Sequence, residues 1–275
     1  MSETKYSYDA VNFHKTFAPQ DSYLSKIMEL ASQQYVGTKE EISEITGIPT
    51  GKTSGKVVPH ILYAYYMGLI SYNLEKGCYT LSLTPLGKLV RENDKYLFED
   101  VTKMLCHYNL CDEYIGANIW SFVYRLPVML EETMSETAMK RKYNDHFGVN
   151  ADLTPLKKTY SEDGFLAVLG LLDFAEGVKI KSLFYNDSML YVYAYGLLSS
   201  WERVFPSEHE ITSDQLSLKL YWGKRFGFDD DEILYALERL EDSGIIKLNK
   251  QLVPYTLIKI SEAASILPHL YDLIN

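Results

Sequence analysis

A proline and a glycine delimit the helix that most constrains the fold of this chain. Pro59 lacks a backbone N–H and is tolerated only in the first turn of a helix, so the sequence predicts a helix that begins near Val57. Gly68 then ends this helix as a glycine cap. Further upstream, Thr38 and Glu41 form a capping-box pair and predict a short helix that starts directly after Thr38.

The segments on either side complete a recognisable order of elements. "DSYLSKIMELASQQ" has the apolar spacing of an amphipathic helix, and "LISYNL", "EKG" and "CYTLSLT" read as strand, turn and strand. "TPLGKLV" begins a further helix. Helix, helix, loop, helix and hairpin is the order of a winged helix-turn-helix domain, predicted here over residues 21–92. The third helix is the candidate recognition helix, and the hairpin is the candidate wing.

The predicted DNA-contacting residues follow from that order. We expect Lys52, Thr53, Ser54 and Lys56 to hold DNA phosphates in front of the third helix. The other candidates are His60 and Tyr63, facing the major groove, and Lys76 at the tip of the wing. The expected apolar face of the third helix comprises Val58, Ile61, Leu62, Tyr65 and Leu69. Two alternatives stay open: a solvated turn with no ligand, and burial of Tyr63 against another domain.

A nucleotide-binding loop is the competing interpretation of "GIPTGKTSGK", residues 47–56. The spacing between Gly47 and the Gly51-Lys52 pair is one residue too short for the Gly-x-x-x-x-Gly-Lys motif. Such a loop also follows a buried strand, whereas "TKEEISEIT" reads as a helix. We therefore expect no NTPase, no cofactor, and a phosphate of DNA rather than of ATP if this loop binds phosphate.

The rest of the chain predicts two more domains after an N-terminal arm. Residues 1–20 are the arm, 93–206 a helical middle domain, and 207–275 a second winged-helix-like domain with a short hairpin. "ILYA" occurs in both the third helix and the C-terminal domain, followed each time by a glycine and an apolar pair. The expected fold class is therefore mainly α with short β-hairpins.

Charge separates the two winged-helix candidates. No acidic residue lies between Ile45 and Leu74, whereas DNA phosphates would repel the main C-terminal helix. Its acidic residues are Asp229, Asp230, Asp231, Glu232, Glu238, Glu241 and Asp242. The whole chain of 275 residues carries a net charge of −10, which argues against a general nucleic-acid coat and for a local contact with weak affinity. A homodimer or protein partners would supply the remaining affinity.

Histidines and cysteines raise the question of a metal or a catalytic site. Cys106, His107 and Cys111 fall on a predicted helix, and a zinc site wants cysteines paired at short loop spacings. Core cysteines beside a hydrogen-bonded histidine are the better account, so no metal is expected. His14 belongs to the aromatic arm, and its sequence context shows no catalytic partner. The sequence also contains neither a signal peptide nor an apolar run that could span a bilayer, which predicts a cytoplasmic protein without membrane partners.

Several collinear segments resemble a known family. They are "NFHKTFAPQDSYLSKIMELA", "GIPTGKTSGKVVPHILYAYYMGLI", "LTPLGKLV", "LCHYNL" and "IWSFVY". Together they resemble the bacterial domain-of-unknown-function family 4007. The resemblance implies a winged-helix protein encoded near DNA phosphorothioation and other phage-defence genes, with other defence or modification proteins as partners. That family has no established catalytic residues, so the resemblance implies none here.

The expected function is non-catalytic binding of duplex DNA in a bacterial DNA-modification or phage-defence system. A protein-interaction scaffold without DNA contact is the first alternative, favoured by the negative charge and by 23 tyrosines. A nuclease with an unrecognised site is the second, since Glu176, Lys179 and Lys181 faintly match a Glu-x-x-Lys-x-Lys pattern without the upstream Pro-Asp strand.

Overall fold

Local capping chemistry sets the helix ends as the sequence predicts. The Thr38 side chain accepts a hydrogen bond from the backbone N–H of Glu41, and the Glu41 carboxylate accepts one from the backbone N–H of Thr38. The helix that contains Pro59 begins at Val57, and Gly68 follows its last turn with a φ of +76°. A positive φ is strained for any residue with a Cβ, which explains why glycine stands there.

The computed structural model describes residues 6–51, 55–251 and 253–274. This part of the chain is mainly α with small three-stranded antiparallel sheets. It divides into two units, Met1–Lys179 and Ile180–Asn275. The boundaries predicted at 20/21 and 92/93 lie inside the first unit, and the one at 206/207 lies inside the second. None of the helices in the described ranges combines the length and the apolar character that crossing a bilayer requires.

The first unit contains nine of the described α-helices and two small sheets. The helices are α1 Tyr8–Val11, α2 Asp21–Ser32, α3 Lys39–Thr46, α4 Val57–Tyr66, α5 Pro85–Asn93, α6 Asp100–Leu110, α7 Asn118–Val123, α8 Glu136–Phe147 and α9 Thr154–Tyr160. The strands are β1 Val36–Thr38, β2 Ile70–Glu75, β3 Cys78–Leu83, β4 Thr133–Met134, β5 Leu172–Asp173 and β6 Val178–Ile180.

The region 21–92 folds around α2. Leu24, Ile27 and Met28 on this helix are buried, and α2 packs on both α4 and β3. The antiparallel sheet has the order β1-β3-β2, with Tyr72 of β2 opposite Leu81 of β3. Element order and hairpin therefore match the sequence-based expectation.

The buried face of α4 matches the predicted one only in part: Ile61 and Leu69 are buried as expected. Val57, His60, Tyr63 and Ala64 are buried, whereas Tyr65, predicted to lie on the apolar face, is 42% exposed. The prediction assumed one apolar partner surface. The N-terminal arm covers the opposite side as well, so α4 lies between two packed surfaces and keeps little free area.

The middle of the chain is helical, but it also carries a small sheet. The strand order is β4-β6-β5, with Thr133 opposite Lys179 and Met134 opposite Val178. The side chain of Lys179 also pairs with Glu131 at 3.9 Å.

The second unit repeats the order of elements seen in 21–92. Its helices are α10 Leu190–Val204, α11 Ser213–Gln215, α12 Trp222–Arg225, α13 Asp230–Asp242 and α14 Ala263–Ile266, and its strands are β7 Glu210–Thr212, β8 Ile246–Asn249 and β9 Thr256–Lys259. The sheet order β7-β9-β8 corresponds to β1-β3-β2. Thr212 and Gln215 form a capping box directly after β7, as Thr38 and Glu41 do after β1.

Candidate functional site

The turn between α3 and α4 folds back on itself. Gly47, with a φ of +69°, ends α3, and the backbone N–H of Lys56 donates to the carbonyl of Pro49 at 2.7 Å. The Lys39 ammonium donates to the carbonyl of Gly51 at 3.1 Å. A Cβ at position 55 would lie 2.7 Å from the Cα of Thr50, so only glycine fits there. The predicted contacts Lys52, Thr53 and Ser54 lie outside the described residues.

Lys56 stands at the N-terminus of α4 and is held by two aromatic rings. Its ammonium lies 5.6 Å from the centroid of Phe17 and 5.3 Å from that of Tyr23, within the range of a cation–π contact. Among the described residues no side chain caps this helix end, and its first turn contains no acidic residue. The helix dipole and the lysine together make the start of α4 attractive to an anion.

The N-terminal arm is fixed beside this helix end. The Asn12 side chain donates to the carbonyl of Asn150 at 3.1 Å and accepts from the backbone N–H of Asp152 at 2.8 Å. The Tyr63 hydroxyl donates to the carbonyl of Phe17 at 2.8 Å. These hydrogen bonds tie the arm to α4 and to the segment that precedes α9, so the ring of Phe17 is a rigid support for Lys56.

His60 is a buried member of this packing rather than a surface residue. Its Nδ1–H donates to the carbonyl of Lys56 at 2.6 Å, and its ring contacts Tyr23 edge to face. Burial lowers the pKa of His60 to about 4, so the ring is neutral near pH 7. Since the side chains of His60 and Tyr63 are both fully buried, neither lies on a free face of α4 where it could meet a DNA groove.

His14 occupies a similar environment on the arm. Its Nδ1–H donates to the carbonyl of Lys15 at 2.9 Å, and its ring lies against Trp120. Burial lowers the pKa of His14 to about 4. The Lys15 carbonyl and the Asp152 carboxylate act to raise this pKa, but their effects are smaller. The arm therefore docks through aromatic packing, as its sequence predicted.

A polar pocket of about 610 Å³ opens next to Lys56. One wall is the segment 16–20 of the arm, and the other runs from residue 152 to residue 164. Its charged and hydroxyl-bearing lining includes Lys56, Lys158, Asp152, Asp163, Thr16 and Thr154. The sequence alone did not predict the second wall of the pocket. Local sequence patterns do not encode contacts between residues that lie so far apart along the chain.

Asp152 is the most rigid acid of this pocket. Its backbone N–H donates to Asn12, and its Oδ1 accepts from the backbone N–H of Thr154 at 2.9 Å. Lys158 and Asp163 are exposed at the rim. The pocket therefore combines cations, carboxylates and hydroxyl groups in one place.

Lys76 lies on the hairpin tip, as predicted. It is exposed, and it occupies a two-residue turn with Gly77, with φ values of +50° and +84°. Two positive φ values are typical of a type I′ turn. Lys76 is absent from the described lining of the pocket, so Lys56 and Lys76 belong to separate features of the same region.

The "LCHYNL" motif belongs to the core. His107 is hydrogen-bonded through Nδ1 to the Tyr160 hydroxyl at 2.7 Å and through Nε2 to the Tyr124 hydroxyl at 3.1 Å. Cys106 and Cys111 are buried beside it, which confirms the prediction of core cysteines next to a hydrogen-bonded histidine. No group of three or more His, Cys, Asp or Glu suited to a metal ion occurs within the described ranges.

Two solved structures of a protein named SspB share this fold. The magnesium ion-bound SspB crystal structure superposes with a TM-score of 0.78 at 16% sequence identity, over 98% of this chain and 88% of that chain. A second SspB crystal structure gives a TM-score of 0.74 at 18% identity, over 98% and 90% of the two chains. No family model and no curated protein matches the chain. At these identities the likeness shows the fold alone, and the resemblance to family 4007 stays a prediction.

Proposed function

We propose that this protein is a non-catalytic DNA-binding winged-helix protein of a bacterial DNA-modification system, of phosphorothioation type, or of a phage-defence system. The observation that carries the proposal is the start of α4, where Lys56 extends beside an open polar pocket from a helix end that no described side chain caps. The resemblance to family 4007 supports the proposed cellular context.

The winged-helix assignment rests on the order of elements around α4. Helices α2, α3 and α4 precede the β2–β3 hairpin, and β1 pairs with β3 on the side away from β2. In a winged helix this arrangement presents the third helix and the hairpin to DNA. In this chain Lys56 and Lys76 stand at those two positions, and we propose that they contact the backbone together with Lys52, Thr53 and Ser54.

Backbone contact, rather than base reading, is the mode we propose. The outer side of α4 carries Val58, Leu62 and Tyr65, which have no charged group, and the described residues at the front of the helix contribute Lys56 alone as a cation. Phosphate contacts fix a protein on the duplex without reading its sequence. The proposed interaction is therefore weakly sequence-dependent and sensitive to salt.

The exposed tyrosines support a second candidate function. Tyr65 is 42% exposed and meets Tyr72 edge to face at 5.1 Å, on the side of α4 that a recognition helix would turn to DNA. Aromatic side chains without neighbouring charges are typical of protein interfaces. A scaffold that binds a protein partner, or a second copy of this chain, through this side is the alternative proposal.

Fluorescence anisotropy with labelled duplex DNA tests the main proposal. Lys56→Met removes the charge but keeps a flexible apolar chain over the rings of Phe17 and Tyr23. We expect it to weaken binding by roughly 3- to 10-fold and to reduce the salt slope by about 1, because one phosphate contact is lost. Lys219→Met, at an exposed lysine of the second unit, is the control with the same substitution.

Three outcomes contradict the proposal. If duplex binding is undetectable at low salt, the protein makes no DNA contact of the proposed kind. If binding is unaffected by Lys56→Met, Lys56 does not contact the DNA backbone. In either case, loss of self-association or of partner binding in Tyr65→Asp supports the scaffold. Cleavage of the duplex after addition of Mg²⁺, the ion named for one SspB structure, would show that the protein is an enzyme.

A further inference from the structure

The pocket beside Lys56 has a lining that a DNA backbone alone does not require. A groove for phosphates is best made of cations and neutral donors, because carboxylates repel phosphate groups. Here Asp152 and Asp163 line the same pocket as Lys56 and Lys158. A ligand that can bind both the two lysines and the two aspartates carries an anionic group and, separately, hydrogen-bond donors.

The volume also exceeds that of a phosphate group. Pockets for small molecules usually measure about 300–1,000 Å³, and the value of about 610 Å³ falls within that range. One nucleotide combines the required features in one compact unit. Its phosphate is anionic, and the exocyclic amino groups of cytosine, adenine and guanine are donors.

Resting on the proposed function, we infer that this pocket receives a single unpaired nucleotide of DNA. Lys56 and Lys158 bind its phosphate, and Asp152 accepts a hydrogen bond from the amino group of its base. The hydroxyls of Thr16 and Thr154 are further donors to the phosphate oxygens.

Asp152 is prepared for this role before the ligand arrives. Its backbone is held by Asn12, and its Oδ1 already accepts from the backbone N–H of Thr154. Its second carboxylate oxygen, Oδ2, has no hydrogen bond from any described residue. An acceptor held in place with one unused oxygen favours bases that carry an exocyclic amino group over thymine, whose only donor is its ring N3–H.

The pocket also distinguishes paired from unpaired nucleotides. In an intact duplex each base is stacked and paired, so it enters a pocket only after extrusion, whereas an unpaired base is extruded at little cost. The pocket therefore favours duplexes with a bulged or mismatched nucleotide over fully paired ones. It adds this preference to the general backbone contact at Lys56.

Anisotropy measurements with four related DNAs test the inference: a paired duplex and the same duplex with a single bulged cytosine, thymine or abasic site. We expect the cytosine bulge to bind roughly 5- to 10-fold more tightly than the paired duplex, since one base gains a specific contact. The abasic bulge should bind about as the paired duplex does, and the thymine bulge should bind more weakly than the cytosine bulge because it offers no amino group.

Asp152→Asn provides the residue-level test. It keeps the Oδ1 acceptor for Thr154 but removes the charge, so the fold is retained and can be checked by circular dichroism. We expect it to abolish the preference for the cytosine bulge while leaving paired-duplex affinity equal or slightly higher. Asp145→Asn, an exposed acid on α8, is the control with the same charge change and should keep the preference.

The outcomes separate this inference from the proposed function. Equal affinity for paired and cytosine-bulged DNA, with both still weakened by Lys56→Met, overturns the pocket assignment and leaves the backbone contact intact. Equal affinity for cytosine and abasic bulges, or a preference that survives Asp152→Asn, overturns the role of Asp152. If no DNA binds at low salt, the proposed function and this inference both fail.

Discussion

His14 and His60 show how strongly burial decides the role of a residue here. Each uses Nδ1 to bind a backbone carbonyl, and each has an Nε2 that finds no hydrogen-bond partner among the described residues. A buried imidazole without a second partner is tolerated only in the neutral form, because charge in such a site is poorly solvated. The two rings therefore stabilise the arm by packing, and only while they are neutral.

This arrangement predicts a loss of stability in mild acid. Both folded pKa values are lowered from 6.5 to about 4, so between these values the unfolded chain binds more protons than the folded one. Stability is therefore complete above pH 6.5 and falls as the pH drops through that window. At pH about 5 we expect the free energy of unfolding to fall by about 2 kcal/mol per histidine relative to pH about 7.5.

Urea unfolding at the two pH values measures this effect. The double variant His14→Gln with His60→Gln should show a much flatter pH dependence, even though its stability near pH 7.5 differs from that of the native chain. An unaltered slope in the double variant would refute the assignment to His14 and His60.

At the scale of the element, the β2–β3 turn carries an avoidable strain. Lys76 has a φ of +50° in a turn whose first position is better suited to asparagine. Lysine at this position costs stability, and its charge has no partner in the described structure. The geometry of the hairpin therefore favours asparagine at position 76, whereas the proposed DNA contact requires lysine there.

Lys76→Asn separates these two demands. We expect the variant to raise the free energy of unfolding by about 0.5 kcal/mol, since asparagine tolerates a positive φ better than lysine does. If the wing contacts a phosphate, the same variant lowers duplex affinity a few-fold and reduces the salt slope by about 1. Denaturation and anisotropy together give the result. Higher stability with unchanged affinity would place the wing away from DNA.

Element α4 illustrates the limit of a helical pattern read in isolation. Its ends follow from Pro59 and Gly68, but its orientation does not, because nearly all its positions are apolar or aromatic. Such a helix can bury either side. The arm residues Phe13 and Phe17 settle the choice by contacting Tyr63, and Tyr23 of α2 contacts the ring of His60. The expected groove-facing residues thus became part of the core.

At the scale of the whole molecule, charge opposes binding to nucleic acid. The net charge of −10 is accompanied by a first turn of α13 that contains Asp230, Asp231 and Glu232. These carboxylates stabilise the helix through its dipole, and their field repels a polyanion at low salt. The proposed binding of DNA therefore has to come from local cations, against an unfavourable overall field.

Neutralising part of that field should strengthen binding. For Asp230→Asn with Asp231→Asn, both exposed residues, we expect duplex affinity to rise about 2- to 5-fold at low salt. The gain should vanish near physiological salt, because the screening length falls to about 8 Å. Anisotropy at both salt concentrations measures it. A gain that persists at high salt would instead indicate a direct contact.

The sequence by itself determined the local elements. Caps, glycines and apolar periodicity specify helices and hairpins through interactions a few residues apart, so Thr38, Pro59 and Gly68 predicted α3, α4 and the start of β2. The core role of Cys106 and His107 also followed from their helical setting. Resemblance and composition led to the proposal of DNA binding but carried no geometry.

Only the tertiary structure decided which of these residues remain free. Contacts between the arm, α4 and the segment near Asp152 join residues far apart in sequence, and no local pattern encodes them. They bury His60 and Tyr63, hold Lys56 over two rings and create the pocket that contains Lys158. A side chain can bind a ligand only where packing leaves it exposed, and packing is a property of the whole unit.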